Sequence, residues 1–300
     1  MRDDITKRMV DLSPEKRQLL RQLLARKSQP RAPQQEVATD DSADTVRSFY
    51  DSISRQLNLS VFSDSSLFLN YGYVADESPE YATTRLPRHI LNQHFIKLVL
   101  EVIGNCDLTD CKILDIGCGR GGAVDVMAQY FRAKKIIGLD LSQTAIEFCV
   151  RRYKYDHVHF LEGDAQCLAF EDSTFDVVTN IESSHSYSQL REFYTEVFRV
   201  LRSGGYFLYA DLLPSDKVEG YLTVLQGMGF VLESDRNITN NVLLSCDDMA
   251  QRNLAAFDTA KTELMHDFLA VPNSSVYEAL REGQTSYHIF KLHKPDSRQV

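Results

Sequence analysis

Short apolar runs alternate with amphipathic stretches from residue 112 to residue 237 of this chain. Lys112–Ile116, 135–139, Val158–Glu162, 175–180, 206–212 and Val231–Asn237 each read as a strand. The run at 175–180, FDVVTN, is almost wholly apolar, which suits a strand covered on both faces. Between these runs, 123–130, 142–153, 190–201 and Val218–Gly227 carry apolar residues at helical spacing. Ser142 is placed to cap the second of these helices, with Ala145, Ile146, Cys149 and Val150 along one side. Ser203-Gly204-Gly205 is expected to stop the third. A last strand is read at 287–292. Strands and helices in this alternation predict an α/β, Rossmann-like domain built on a parallel sheet.

The pattern changes on either side of this core. Residues 45–57 form a helix with Val46, Phe49, Tyr50 and Ile53 on one face, and 89–103 form another with Ile90, Phe95, Leu98, Val99 and Val102 apolar. Residues 28–44, rich in Gln, Pro, Ala and Asp, have no apolar period and read as a linker. Ahead of it, Ser13 suits an N-cap and Pro14 a first helical position, and Leu19, Leu20, Leu23 and Leu24 line one side of a short basic helix. Downstream, residues 238–286 separate the last two strands; a structureless loop of that length is unusual. Helical character at 247–269 predicts a helical insertion over the substrate side of the sheet. The expected organisation is a helix at 1–27, a linker at 28–44 and one domain at 45–300. That domain divides into an N-terminal helical lid at 45–104, a core at 105–237 and 287–295, and the insertion at 238–286.

The chemistry concentrates in residues 111–122, CKILDIGCGRGG. A strand runs into Gly117, Gly119 and Gly121, and a helix follows. Glycines permit positive φ and let a ligand lie against bare backbone. Strand, glycine turn and helix mark a nucleotide-type crevice at the carboxyl ends of the strands. Asp140 ends the next apolar run, KIIGLD, where an acid can take two ribose hydroxyls. Asp115 stands just before the glycines.

The run LDIGCGRG, with Asp140 after it, resembles motif I of the class I S-adenosylmethionine-dependent methyltransferases. A nicotinamide fold turns a helix N-terminus to a pyrophosphate; S-adenosylmethionine has none. The resemblance implies a sheet of order 3-2-1-4-5-7-6 with the last strand antiparallel, and S-adenosylmethionine as cofactor. It implies that Asp115, Gly117, Cys118 and Gly119 surround the cofactor, that Asp140 and Leu141 take its ribose, and that Asp164 and Ala165 hold its adenine. Asn180, at the end of the fourth strand, joins this set. Residues 68–73, FLNYGY, are similar to a segment that helps close such sites, with Tyr71 over the cofactor.

The stretch after the fourth strand, NIESSHSY at 180–187, is polar and carries His185 where an acceptor would meet the methyl group. Methyl transfer is an in-line displacement at a sulfonium, so the protein mainly positions the nucleophile and removes its proton. A hydroxyl nucleophile needs a base, and histidine is suited to that role near neutral pH. His185 is the candidate base, with Asp211 in YADLL expected beside it to fix its tautomer. Glu182 is the second candidate, or faces the cofactor instead.

The segments ESSH and YADL resemble those of natural-product O-methyltransferases: sugar enzymes, polyketide synthase domains and the methyltransferases of mycobacterial phenolic lipids. This likeness implies O-methylation of a hydroxyl or enol on a polyketide-type, carrier-bound intermediate. C- or N-methylation, and O-methylation of a free sugar, phenol or lipid, stay open. A non-catalytic scaffold is opposed by the presence of Asp115, Gly117, Gly119, Asp140 and Asp164 together. The order Ser-Ser-His-Ser, where some sugar enzymes have paired histidines, leaves one base and favours a metal-independent mechanism. LSPEKRQLLRQLL is similar to linker helices of assembly lines, which implies docking to neighbouring synthase domains.

Composition narrows the partners. The net charge is -9 with no basic stripe, which argues against a nucleic-acid substrate. No apolar run approaches the roughly 18 residues of a membrane span, and the first residues lack the apolar region of a secretory signal. The 6 cysteines form no CxxC pair, so they read as reduced packing residues of a cytoplasmic protein.

Overall fold

The computed structural model describes residues 41–59, 63, 66–76, 81–82, 84–87, 90–252 and 269–296. The helix expected at 1–27, most of the linker and 253–268 of the insertion lie outside the described residues. The strands are β1 (Lys112–Ile116), β2 (Lys135–Asp140), β3 (Val158–Glu162), β4 (Phe175–Ile181), β5 (Leu201–Pro214), β6 (Val231–Asn237) and β7 (Thr285–His293). They pair in the order β3-β2-β1-β4-β5-β7-β6. The first five run parallel, and β7 lies antiparallel between β5 and β6.

Alternation along the strands builds two cores. Ile113, Ile136, Val177, Leu208 and Ile289 face one layer, and Leu114, Ile137, Val178, Phe207 and Phe290 the other. The first layer includes residues of α2 (Gln93–Ile103) and α3 (Gly122–Tyr130); the second includes those of α5 (Leu190–Val200) and α6 (Val218–Gly227). Helix α4 (Gln143–Arg152) starts as its sequence indicates, with Ser142 Oγ accepting from Ala145 N at 3.2 Å.

Some boundaries differ from the sequence reading. Gly204 and Gly205 do not stop α5, which ends at Val200. They sit inside β5, at a register shift between the pairs Phe175–Leu201 and Val177–Tyr206. Gly204 takes φ +74° and donates its N–H to Lys294 O at 2.7 Å, so the glycines form an irregularity in a strand that a distant partner holds. Helix α1 spans Asp41–Leu59 and begins inside the expected linker. The insertion is helical from its first residues: α7 covers Thr239–Arg252 and α8 Ser275–Arg281, and Tyr277 OH donates to Asp247 Oδ1 at 2.8 Å. Helix α7 packs on the 66–76 segment, with Ser245 Oγ donating to Tyr71 O at 2.8 Å and Val74 N to Asn241 O at 3.1 Å. No helix among the described residues is long and apolar enough to cross a membrane.

Candidate active site

The crevice opens at the carboxyl ends of β1, β2 and β4. Gly117 leaves β1 with φ +72°, and a Cβ there would sit 2.0 Å from Ser183 Oγ. Gly117 N and Cys118 N donate to Leu139 O at 2.8 and 3.0 Å, which ties the turn to β2. Asp140 reinforces the tie, accepting from Gly119 N at 2.7 Å and Ser142 N at 2.9 Å. A carboxylate oxygen has two lone pairs, so both Asp140 oxygens keep capacity for a ligand. Burial pushes its carboxyl above the usual range.

Asp115 and Asn180 lie deeper. Asp115 accepts from Thr179 Oγ1 at 2.6 Å; burial pushes its carboxyl up to about 7, against the pull of that hydrogen bond. Asn180 is fully buried and donates through Nδ2 to Ile116 O at 2.9 Å and Tyr187 OH at 3.1 Å. Its Oδ1 has no partner. An unpaired buried acceptor calls for an explanation, and a ligand donor is one. On the far wall, Leu141, Asp164 and Ala165 line the crevice. Gln166 holds the Asp164 carboxylate from its backbone N at 2.8 Å and from Nε2 at 3.1 Å.

After β4 the chain makes one 3-10 turn, Ser184–Ser186, which carries His185. Asp211 on β5 is fully buried and receives four donors: His185 Nδ1 at 2.7 Å, His185 N at 3.0 Å, Ser184 Oγ at 2.6 Å and Leu212 N at 2.8 Å. A carboxylate only accepts, so Nδ1 carries the imidazole proton and Nε2 is left as an acceptor. The His185 side chain is 17% exposed and lines the crevice. Glu182 also lines it, from a left-handed backbone with φ +52°. Its Oε1 accepts from Tyr71 N at 2.8 Å and Tyr287 OH at 2.9 Å, which joins the 66–76 segment and β7 to the end of β4. Tyr71 is buried at the crevice, its phenol raised well above the ordinary range by that burial. The structure thus brings all the sequence-selected residues to one end of the sheet and pairs His185 with Asp211.

Three site residues escaped the sequence reading. Tyr50 of α1 shares a hydrogen bond of 2.8 Å with Ser186 Oγ beside His185. Asp51 accepts from Ser142 Oγ at 2.5 Å and Thr144 N at 3.3 Å, docking α1 on the start of α4. Arg120, in the middle of the glycine motif, is fully buried. It donates to Ser66 O at 2.6 Å, Asn58 Oδ1 at 2.7 Å and Ser63 O at 3.1 Å, and lies 3.6 Å from the Phe148 ring centroid. An arginine inside a glycine turn was the available signal for it. Tyr50 gave none, since it sits on a face that reads as core.

Residues 114–209 match the family described as a methyltransferase domain. Over 234 residues the chain is 36% identical to the fatty-acid O-methyltransferase of Mycolicibacterium smegmatis, covering 77% of this chain and 85% of that protein. The chain belongs to the S-adenosylmethionine-dependent methyltransferases. This methyltransferase is also 31% identical over 232 residues to the phthiotriol/phenolphthiotriol dimycocerosates methyltransferase of Mycobacterium tuberculosis, covering 76% of this chain and 85% of that one. Its fold is shared with the cyclase SpnF, at TM-score 0.67 and 20% identity, covering 85% of this chain and 98% of that chain. It is shared too with a geranyl diphosphate methyltransferase in complex with sinefungin, at TM-score 0.64 and 22% identity, covering 86% and 100%.

The cofactor of this methyltransferase is S-adenosylmethionine, and the crevice fits it. Gly117 offers backbone where any side chain would intrude. Asn180 Oδ1 offers a free acceptor suited to an ammonium, and Asp140 keeps acceptor capacity suited to hydroxyls. Asp115 adds a titrating group with a consequence for binding. S-adenosylmethionine carries net positive charge, which favours the carboxylate over the carboxylic acid. Below pH of about 7 Asp115 is protonated, and the ligand must displace that proton; above it, no proton is displaced. Affinity is therefore expected to rise with pH up to about 7 and then level, with a limit of about tenfold per pH unit. Calorimetry at pH 6 in two buffers of different ionisation enthalpy checks this. Proton release is expected from the native protein and not from Asp115→Asn; equal release from both would remove Asp115 from the account.

Proposed function

We propose that this methyltransferase methylates a hydroxyl oxygen on a long-chain, polyketide- or lipid-type acceptor, with His185 as general base. The observation that carries this reading is the His185–Asp211 pair, which leaves Nε2 as an acceptor on the crevice. When bound, the cofactor supplies an electrophilic methyl group on a sulfonium. His185 Nε2 would take the proton of an acceptor hydroxyl as that oxygen displaces the cofactor's sulfur from the methyl carbon, the neutral thioether being the leaving group, and Asp211 would stabilise the imidazolium that results. Glu182 is given a holding role, because Tyr71 N and Tyr287 OH occupy its carboxylate.

The acceptor class follows the relatives, whose names refer to fatty acids and to phthiotriol dimycocerosates. The choice of oxygen follows from acidity. A carboxyl group is ionised at pH 7 and needs no base, whereas an aliphatic hydroxyl does. A histidine paired with a buried carboxylate that Ser184 Oγ and Leu212 N also hold is wasted on an ionised acceptor, so the hydroxyl reading is preferred over a fatty-acid carboxyl. A carrier-bound acceptor, presented with residues 1–27 docked on a neighbouring synthase domain, remains part of the proposal.

Labelled S-adenosylmethionine with a panel of acceptors tests it. The panel holds hydroxylated long-chain acids, the same chains on an acyl carrier protein, unsubstituted fatty acids, and phenols or sugars. Label is expected on the hydroxylated chains, as an ether located by fragmentation. Label confined to unsubstituted fatty acids would replace the hydroxyl reading with carboxyl methylation, and label on carbon would replace both. A preference for the carrier-bound chains is the expected mark of assembly-line tailoring.

A further inference from the structure

Behind Asp211, away from His185, runs a line of buried hydroxyls. Ser184 Oγ lies 2.6 Å from Asp211 Oδ2 and 2.6 Å from Tyr209 OH, and Tyr209 OH lies 3.3 Å from Tyr194 OH. Ser184, Tyr209 and Tyr194 are 2%, 0% and 1% exposed, so water does not compete for these bonds. Their direction follows from counting protons. Asp211 only accepts, so the single Ser184 proton goes to it. Ser184 must then accept from Tyr209, which spends the single Tyr209 proton. Tyr209 in turn accepts from Tyr194. Three hydroxyls, from the 3-10 turn, β5 and α5, all point toward one carboxylate oxygen.

We propose that this hydroxyl chain sets the basicity of His185 through Asp211, and that Ser184 and Tyr209 are positioning residues of the dyad. The inference rests on the reading of His185 as the base. Aligned hydrogen bonds polarise one another, so the terminal donor on Oδ2 is stronger than a lone serine. It draws charge away from Oδ1, the oxygen that holds His185 Nδ1. A carboxylate so relieved stabilises the imidazolium less, which weakens Nε2 as a base. His185 Nδ1 and N and Leu212 N already orient the carboxylate without Ser184. The chain therefore tunes a group that other bonds hold in place.

The other titratable groups around Asp211 leave this tuning visible. Tyr50 from α1, Tyr71 from the 66–76 segment, Tyr187 beyond the turn, Tyr194 from α5, Tyr221 from α6 and Tyr287 from β7 all lie within electrostatic reach of it. Burial holds each of these phenols above its ordinary value, so they stay neutral near pH 7. Glu182, a further carboxylate at this end beside Asp115 and Asp140 of the cofactor crevice, is bound to Tyr71 N and Tyr287 OH. His288, opposite Asp211 in the β5–β7 register, turns to Asp235 at 2.6 Å and Ser286 at 3.2 Å.

Ser184→Ala and Tyr209→Phe test the proposal, with Ser184→Thr as the variant that keeps the donor. Two readouts are taken on the full-length enzyme: the imidazole titration of His185 by carbon-13 NMR, and the pH profile of kcat/KM for the acceptor at saturating S-adenosylmethionine, which removes the effect of Asp115 on cofactor binding. In Ser184→Ala both the titration and the acid limb of the profile are expected to move up by about half a pH unit or more. Tyr209→Phe is expected to move both in the same direction by less, and Ser184→Thr to keep both near native. A uniform loss of rate with an unmoved titration in both Ser184→Ala and Tyr209→Phe would overturn the proposal and leave the hydroxyls as packing. A moved titration with an unmoved acid limb would uphold the chain and overturn His185 as the base.

Discussion

His185→Ala is expected to lower kcat by roughly a hundredfold to ten-thousandfold, the span that general acid–base catalysis supplies. S-adenosylmethionine affinity should stay near native. The two effects separate because the turn that carries His185 does not depend on the imidazole. The backbone N of His185 and Ser184 Oγ still reach Asp211, and Tyr50 still reaches Ser186. Removing the ring therefore takes the base from the crevice and leaves its walls standing. The pH profile gives a second check. At saturating S-adenosylmethionine, where Asp115 no longer limits binding, the native rate is expected to fall on the acid side as the base is lost, and in His185→Ala that limb should disappear, leaving a low, flat rate. Single-turnover assays measure the chemical step apart from product release. A variant at full rate on the native acceptor would end the base assignment. Full rate on an unsubstituted fatty acid alone would say that the acceptor is ionised before it binds.

Much of this site was legible because its signals are local. The strand at Lys112–Ile116, the glycines after it and Asp140 at the end of β2 follow one another within a single βαβ unit. Their neighbours in space are their neighbours in sequence. His185 and Asp211 were legible for a related reason: β4 and β5 pair directly, with Ile181 opposite Ala210, which brings the ends of both strands together. The hidden parts depend on packing across long stretches of chain. Tyr50 reaches the site, with Asp51 docking its helix on Ser142, because α1 folds over α4, and nothing in an apolar helical face announces that. The sequence ranked Asp211 ahead of Glu182 as the partner of His185 but left Glu182 open, since both follow strands that lead into the crevice. The fold separates them by backbone conformation. Glu182 sits at φ +52° and meets Tyr71 and Tyr287, while extended β5 turns Asp211 to His185. Gly204 misled for the same kind of reason: glycine after a helix suggests a stop, but here Lys294, from beyond β7, fixes it within a strand.

Gly117→Ala is expected to weaken S-adenosylmethionine binding on the order of a hundredfold, about 2.8 kcal/mol, while the protein remains folded. At φ +72° a residue with a side chain is strained, by about 1–2 kcal/mol for an L-residue in the left-handed region. The new Cβ would also sit 2.0 Å from Ser183 Oγ, 2.5 Å from Ser183 Cβ and 3.0 Å from Tyr187 OH. Overpacking of this kind costs about 1–3 kcal/mol more. Ser183 has little freedom to yield, because its Oγ is bound to Tyr187 OH at 2.7 Å and that hydroxyl to Asn180 Nδ2 at 3.1 Å. A shift at Ser183 therefore passes to Asn180, whose free Oδ1 is one of the groups suited to the cofactor. In the free protein the turn relaxes away from the clash. Binding must force it back, so the strain is charged to affinity more than to stability. Gly220→Ala is the matched control, since a Cβ there meets nothing within 4 Å and lies in α6; it should gain up to about 1 kcal/mol of stability and bind normally. Calorimetric titration of both variants, with thermal unfolding beside it, separates the two effects. If Gly117→Ala binds within a few-fold of the native protein, the cofactor does not need the bare backbone that this turn provides.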